Sequence, residues 1–491
     1  MIFLKSFSGN RYFLFGCILA VFLPGCAVAP VTTLGGQEDP FPLKIQSVSP
    51  DKFPPQAAGA STVRFKAEAT GGVGEREYIF WSSDGKAETA EQKGLSPMWD
   101  WSPRDPGVYR LRVVVRDAIG NTADSGWSPE YRIELATGLN SLIAVMPVEN
   151  LTGMPIPVSE VRKSIIGALK RKNFNLLPED VLEGFLERHR IRYTGGINRE
   201  LAKTFREETG TNAVLFVSLE LFDEAVFPKT ALGGRLVSTH SNASILWMDS
   251  VGMAGNDAPG FLLLGLFDDP RVLWERARDR LVKSLTRYLS GGMPEDARKI
   301  EKKFLPKSFI GHPPKPPVGK EAYSVAVLPF RNESTRRYAG EILALHFIRE
   351  LSKAGKLKVV EPGEVRQALL KSRTIMEGGL SLPQADILHD VLDVDLVLDG
   401  VVTEYQDANS GWTKPKVDFF TRVFDRQTRQ IVWSSYSYNL GDDGVFFFNL
   451  GTVNTAHGLA SGMVRSVIER MDTVMDGGKE QIGGAVPPVS K

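Results

Sequence analysis

Few side chains in this sequence are placed to do chemistry. Of 491 residues, two are cysteine and six are histidine. His189, His240, His312, His346, His389 and His457 fall singly, with no two at ligand spacing on one helix and no His-Glu-x-x-His run, so local spacing points to no metal site. Nucleophilic serine chemistry would need a Gly-x-Ser-x-Gly elbow, and none occurs. Gly319-Lys320 is followed by Glu inside a proline-rich stretch, so it is not a phosphate-cradling loop, and no cofactor is expected. Gly71-Gly72-Val73-Gly74 reads as a hairpin turn. The acidic pairs Asp268-Asp269 and Asp442-Asp443 read as caps or solvated loops, since calcium takes about 6–8 oxygens and no ligand loop surrounds them. No catalytic residue is identified and an enzyme is not expected. The side chain with a defined chemistry ahead of it is the thiol of Cys26, directly after Leu23-Pro24-Gly25 and open to S-alkylation.

The elements before that thiol are those of an export signal. Lys5 and Arg11 make a positive start, Tyr12 to Leu23 is apolar apart from Gly16, and small residues precede Cys26; that order describes a secretory signal. The run is short of the roughly 20 apolar residues a spanning helix needs. Leu23-Pro24-Gly25-Cys26 resembles the bacterial lipobox, with Pro24 as its one departure. The resemblance implies cleavage between Gly25 and Cys26 and a diacylglyceryl group on the Cys26 sulfur. Ala27 stands where an aspartate would resemble the inner-membrane retention signal, which leans towards the outer membrane, on its periplasmic side. Residues 1–25 are thus expected to be removed and 26–40 to form a lipidated spacer. Cys17 leaves with the signal, so a disulfide framework and zinc sites built on cysteine pairs are excluded.

Charge is near balance, at a formal +1, without the concentrated basic face that nucleic acid demands. An apolar content of 42% suits a folded chain, and the length exceeds one domain. An internal repeat organises most of it. IAVMPVENLT (143–152) matches VAVLPFRNES (325–334) at an offset of 182, pairing Pro147 with Pro329, Asn150 with Asn332 and Thr152 with Ser334. NAVLFVSLEL (212–221) matches VDLVLDGVVT (394–403) at the same offset. Further on, Trp247 pairs with Trp433 and Gly265 with Gly451. Each copy reads as a buried strand, an Asn turn suited to bonding its own backbone, an amphipathic helix and further strands and helices. This predicts an α/β sheet with helices packed on it, over 139–290 and again over 322–476. Residues 291–321, with the PPKPP tract, are expected to be a semi-rigid linker, and 477–491 a disordered tail. Over 41–136, short alternating runs such as TVRFKAEA, REYIFW and GVYRLRVVVRDA predict an all-β sandwich.

Two more resemblances add detail. Val325-Ala326-Val327-Leu328-Pro329-Phe330-Arg331-Asn332 is similar to the first strand of the family that includes the amino-terminal domain of TolB, the curli secretion channel CsgG and the lipoprotein activators of penicillin-binding proteins. Ile143 to Asn150 fits less well, with Val148 in place of Phe, and Asp395 to Gly400 resembles a later strand of the same family. This implies an anticodon-binding-like α/β domain that works by docking. Trp101-Ser102-Pro103, Pro106 to Tyr109, Arg116-Asp117, Gly120-Asn121 and Trp127 to Tyr131 resemble a triple-tyrosine, immunoglobulin-like domain.

The chain therefore reads as an Ig-like β sandwich followed by two tandem α/β domains. It is expected to be a non-catalytic binding or scaffold lipoprotein of the envelope, with protein or cell-wall partners and an oligomeric state left open. The alternative is a subunit of a CsgG-like pore, for which the alternation Val417, Phe419, Thr421, Val423 could supply a hairpin strand. Phe446-Phe447-Phe448 is the candidate interface ridge. Trp247 and Trp433 are expected as core or sheet-edge aromatics.

Overall fold

The computed structural model describes residues 42–475 except 53, 55, 58–61, 104–106, 135–137, 241–242, 258–265, 292–300, 315–322, 355–356, 374–378, 409–412 and 446–450. The signal, Cys26, the spacer, the Phe446 to Phe448 patch and the tail lie outside the described residues. The chain is a multidomain mixture of sheets and helices. Among the described residues no helix is long and apolar enough to cross a membrane.

The first domain has a three-stranded sheet (Lys44–Pro50, Val63–Thr70, Met98–Trp101) and a larger one centred on Gly107–Arg116 and Glu77–Ser83. Alternation along Val63–Thr70 puts Val63, Phe65 and Ala67 inside. These pack with Phe80, Trp99, Trp101, Leu111, Val113 and Tyr131 from both sheets in one core. Phe65, Trp101 and Tyr131 meet edge-on with centroids 5.5–6.2 Å apart, the geometry that ring quadrupoles favour. Asp117 closes the turn after Gly107–Arg116 by accepting from the backbone N–H groups of Val73, Ile119 and Asn121 at 2.8–3.1 Å.

Elements of the two α/β units are numbered in chain order. The first unit comprises β1 (Ile143–Val145), α1 (Val158–Lys170), α2 (Glu179–Arg188), α3 (Arg199–Thr209), β2 (Ala213–Asp223), β3 (Lys229–Ser238), β4 (Ile245–Ala254) and α4 (Pro270–Leu289). Strand order is β1-β2-β3-β4, parallel between β1 and β2 (Ile143 beside Ala213) and antiparallel thereafter. Helices α1 and α4 cover one face through Ile165, Leu169, Leu281 and Leu285 on Leu215, Val217, Leu232 and Leu236. Helices α2 and α3 cover only part of the other, through Leu182, Phe185 and Phe205 on Val214, Phe216 and Val237. Asn198 caps α3 by accepting from Leu201 N–H, and Gly210 ends it at φ 70°, a left-handed cap that glycine adopts without a Cβ penalty.

The second unit has β5 (Ser308–Gly311), β6 (Tyr323–Val327), α5 (Ala339–Ala354), β7 (Leu357–Val359), α6 (Pro362–Lys371), α7 (Leu382–Leu392), β8 (Leu396–Gln406), β9 (Lys416–Asp425), β10 (Gln430–Leu440) and α8 (Ala456–Met475). Its order is β5-β10-β9-β8-β6-β7. Matched segments hold matched places: β6 runs parallel to β8 with Val325 beside Leu396. Each Asn turn bonds its own backbone, with Asn150 Oδ1 accepting from Thr152 N–H and Asn332 Oδ1 from Ser334 N–H, both at 3.0 Å. Trp247 and Trp433 are both buried.

One feature differs from the sequence expectations. Part of the segment read as a linker is sheet: β5 pairs with β10, and Phe309, fully buried, stacks on Trp433 at 5.2 Å. Aromatic burial outweighs the polyproline tendency of the residues that follow. The alternation at 417–423 belongs to β9 in the middle of the second unit's sheet, where Val417, Phe419 and Val423 join the core under α8.

The two units share a joint. The part of the first sheet that α2 and α3 leave open is covered by α5 and α8 of the second unit, so Leu151, Ile245 and Met248 belong to the second unit's main core. Closeness of the backbones at the joint is set by glycine: a Cβ on Gly363 would lie 2.3–2.6 Å from backbone atoms of Ile197. Gly363→Ala is therefore expected to wedge the units apart at about 1–3 kcal/mol, read as a lowered melting temperature of the whole chain; an unchanged melting temperature would contradict the packing.

Candidate functional site

Among the described residues the joint gathers a cluster of buried titratable side chains, Glu220, Arg235, His346, Arg349, Glu350, Glu361 and His457. Alternation along β2 sends Val217 and Leu219 to α1 and α4, and Ser218 and Glu220 to the other side. On β4, Met248, Ser250 and Gly252 share that side. Facing them, α5 presents His346, Arg349 and Glu350, and α8 presents His457, Ser461 and Arg465. His457 Nδ1 lies 2.6 Å from Glu220 Oε2, and its Nε2 lies 3.2 Å from Ser250 Oγ. Both partners in the first contact are 4% exposed. Gly252 is required here, because a Cβ would stand 2.5 Å from His457 Cδ2.

His346 lies against His457, ring centroids 4.6 Å apart. It is 2% exposed, and its Nε2 has no hydrogen-bond partner. Burial, then the neighbouring His457 and Arg349, push its pKa well below the usual histidine value, so the ring is neutral at neutral pH. Arg349 donates to the hydroxyls of Ser250 and Ser461 and from Nε to Glu350 Oε1 at 2.9 Å. Burial alone would raise the Glu350 carboxyl, but Arg349, Lys353 and Arg465 outweigh it and hold it low.

A second buried pair closes the other end of the joint. Arg235 on β3 donates from Nη2 to Glu361 Oε1 at 2.9 Å and to Gly195 O at 2.7 Å. Glu361 also accepts from Ile197 N–H at 3.2 Å and, at the start of α6, from Gly363 N–H. Its side chain is fully buried. Burial, opposed by Arg235, raises its pKa to about 6. An acid raised from 4.5 takes up its proton more readily folded than unfolded, so its contribution to stability falls as pH rises from about 4.5 to 6 and is level above that. Such a shift corresponds to roughly 2 kcal/mol. Subtracting the stability-against-pH curve of Glu361→Gln from that of the native chain should reveal this fall; parallel curves through the window would refute it.

Among other residues singled out by sequence, Asp269 caps α4 by accepting from Arg271 N–H at 2.8 Å, and Asp443 accepts from Leu440 N–H at 2.9 Å. Asp399, on the strand 395–400, pairs with Arg422 at 2.6 Å. Sequence reasoning missed Glu220, His346 and His457 as a group. Their one local trace is Glu220 itself, a charge inside the apolar run NAVLFVSLEL.

No protein-family model matches this chain, and no curated protein does. Among solved structures it is similar to the PelC dodecamer from Paraburkholderia phytofirmans, at 16% identity over 30% of this chain and 86% of that one, with a TM-score of 0.21. It is similar to lipoprotein GNA1162 from Neisseria meningitidis at 18% identity, over 30% and 99% of the two chains, TM-score 0.22. A third likeness is to the LpoB C-terminal domain from Salmonella enterica, at 19% identity over 24% and 84%, TM-score 0.21. Likenesses this low cover less than a third of the chain and say nothing of its partners.

Proposed function

We propose that this chain is a lipid-tethered protein of the bacterial envelope that works by binding, its two α/β units forming one preorganised body. The observation that supports this reading is the joint itself. Leu151, Ile245 and Met248 of one unit complete the core of the other, and Arg235 and Glu361 pair across it. A body already ordered gives up less conformational freedom when it docks than two mobile units would. The Cys26 thioether would hold that body at the outer membrane, facing the periplasm, with the β domain, read as Ig-like, between anchor and platform. Within this reading the two units descend from one duplicated, TolB- or CsgG-like domain, and their partners are envelope proteins or cell-wall polymer.

The test is made in cells. Metabolic labelling with a fatty acid should mark the native chain and leave Cys26→Ser unlabelled and released to the soluble fraction. Crosslinking of the native chain in intact cells should capture an envelope component that the released variant does not reach. An unmodified Cys26 thiol in the mature chain would overturn the reading.

A further inference from the structure

We propose that Glu220, His346 and His457 form a binding site for a divalent transition-metal cation of the zinc class, which staples the first α/β unit to the second. Each residue offers one ligand atom, and the three atoms lie within 4.8 Å of one another in a fully buried setting. The second observation is the orphaned Nε2 of His346. Leaving a buried polar atom without a partner is costly, and a cation among the three residues would give that nitrogen the partner it lacks.

The donor set selects the ion. Two imidazoles and one carboxylate suit zinc, cobalt, nickel or iron(II), whereas magnesium and calcium call for oxygen ligands throughout. Bonds of about 2.0–2.2 Å place tetrahedral ligand atoms roughly 3.3 Å apart. The His457–Glu220 contact of 2.6 Å would open by well under an ångström, exchanging the shared proton for the ion. Outer contacts are already in place to orient the ligands: Ser250 Oγ at His457 Nε2, 3.2 Å, and Ser218 Oγ on Glu220 Oε1, 3.4 Å. The nearby Arg349 cation is answered by Glu350 at 2.7 Å. Glu220 is supplied by one unit and both histidines by the other, so the site is complete only when the joint is closed.

The experiment uses the untagged full-length chain, purified in detergent, stripped with chelator and titrated with Co2+ or Zn2+ alone. The native chain should take up one ion, show the visible bands of four-coordinate Co2+ with a water completing the three protein ligands, and melt at a higher temperature with Zn2+ than without. His346→Gln removes a ligand that makes no hydrogen bond through its Nε2. It should keep the metal-free melting temperature and lose affinity on the order of a hundredfold or more, since even outer-shell partners are worth about 10–100-fold. X-ray absorption of the zinc-loaded native chain should show two imidazoles in the first shell, a result that does not depend on how any variant folds. Failure of the native chain to bind either ion, equal affinity in His346→Gln, or a first shell without two imidazoles would each overturn the proposal.

Discussion

Glu361→Ala should destabilise the whole chain by about 3–5 kcal/mol, the cost of leaving a buried charge without its partner. Arg235, with a side chain 5% exposed, would keep Gly195 O as acceptor and the Phe216 ring against its guanidinium, and face an empty space where the carboxylate was. The variant also loses the acceptor for Ile197 and Gly363 N–H at the start of α6. Restoring charge balance should recover much of the loss: Arg235→Met with Glu361→Ala puts apolar volume where both charges stood, and such exchanges are often neutral. Urea unfolding of the two single variants and the double gives the coupling directly. A single-variant loss below about 1 kcal/mol would mean the pair is solvated and the joint open.

Trp433→Ala should cost about 3–5 kcal/mol, the range for deleting a large buried aromatic, and its effect should have a particular address. Trp433 is 2% exposed, stacks on Phe309 and donates from Nε1 to Ser435 Oγ at 3.2 Å. Gly311 of β5 lies against the same ring, so close that a Cβ there would fall 2.8 Å from it. Removing the indole therefore removes the surface on which β5 is seated. Amide hydrogen exchange should show 308–311 losing protection ahead of β8 and β9. Retained protection at 308–311 would show that the strand is held by its ladder bonds alone.

These two residues mark what was legible in the sequence and what was not. Strand-turn units were legible because their signals are local: apolar runs at 143–148 and 325–330, each followed by an Asn that bonds its own backbone, read correctly in isolation. The burial of Trp247 and Trp433 followed from their matched positions. β5 was not legible, since four residues beside a proline tract carry no period and its strand character comes from Trp433, more than a hundred residues away. The joint was least legible. Glu220, Arg235, Glu361 and His457 acquire their meaning from partners on the other unit and His346 from its contact with His457 on another helix, and a search for ligands spaced along one helix passes over histidines on two. The repeat is also not copied strand for strand: β7 of the second unit corresponds in the first to a single parallel bridge between Ile143 and Leu176.

The central claim is that the two α/β units behave as one body. Native-state hydrogen exchange of Glu361→Ala against the native chain tests it most directly, reading peptides from β2 in the first unit and α8 in the second. The account predicts that both segments lose protection together and by the same free energy, because Leu151, Ile245 and Met248 of the first unit are part of the second unit's core. Protection of β2 left at its native value while α8 opens would contradict it.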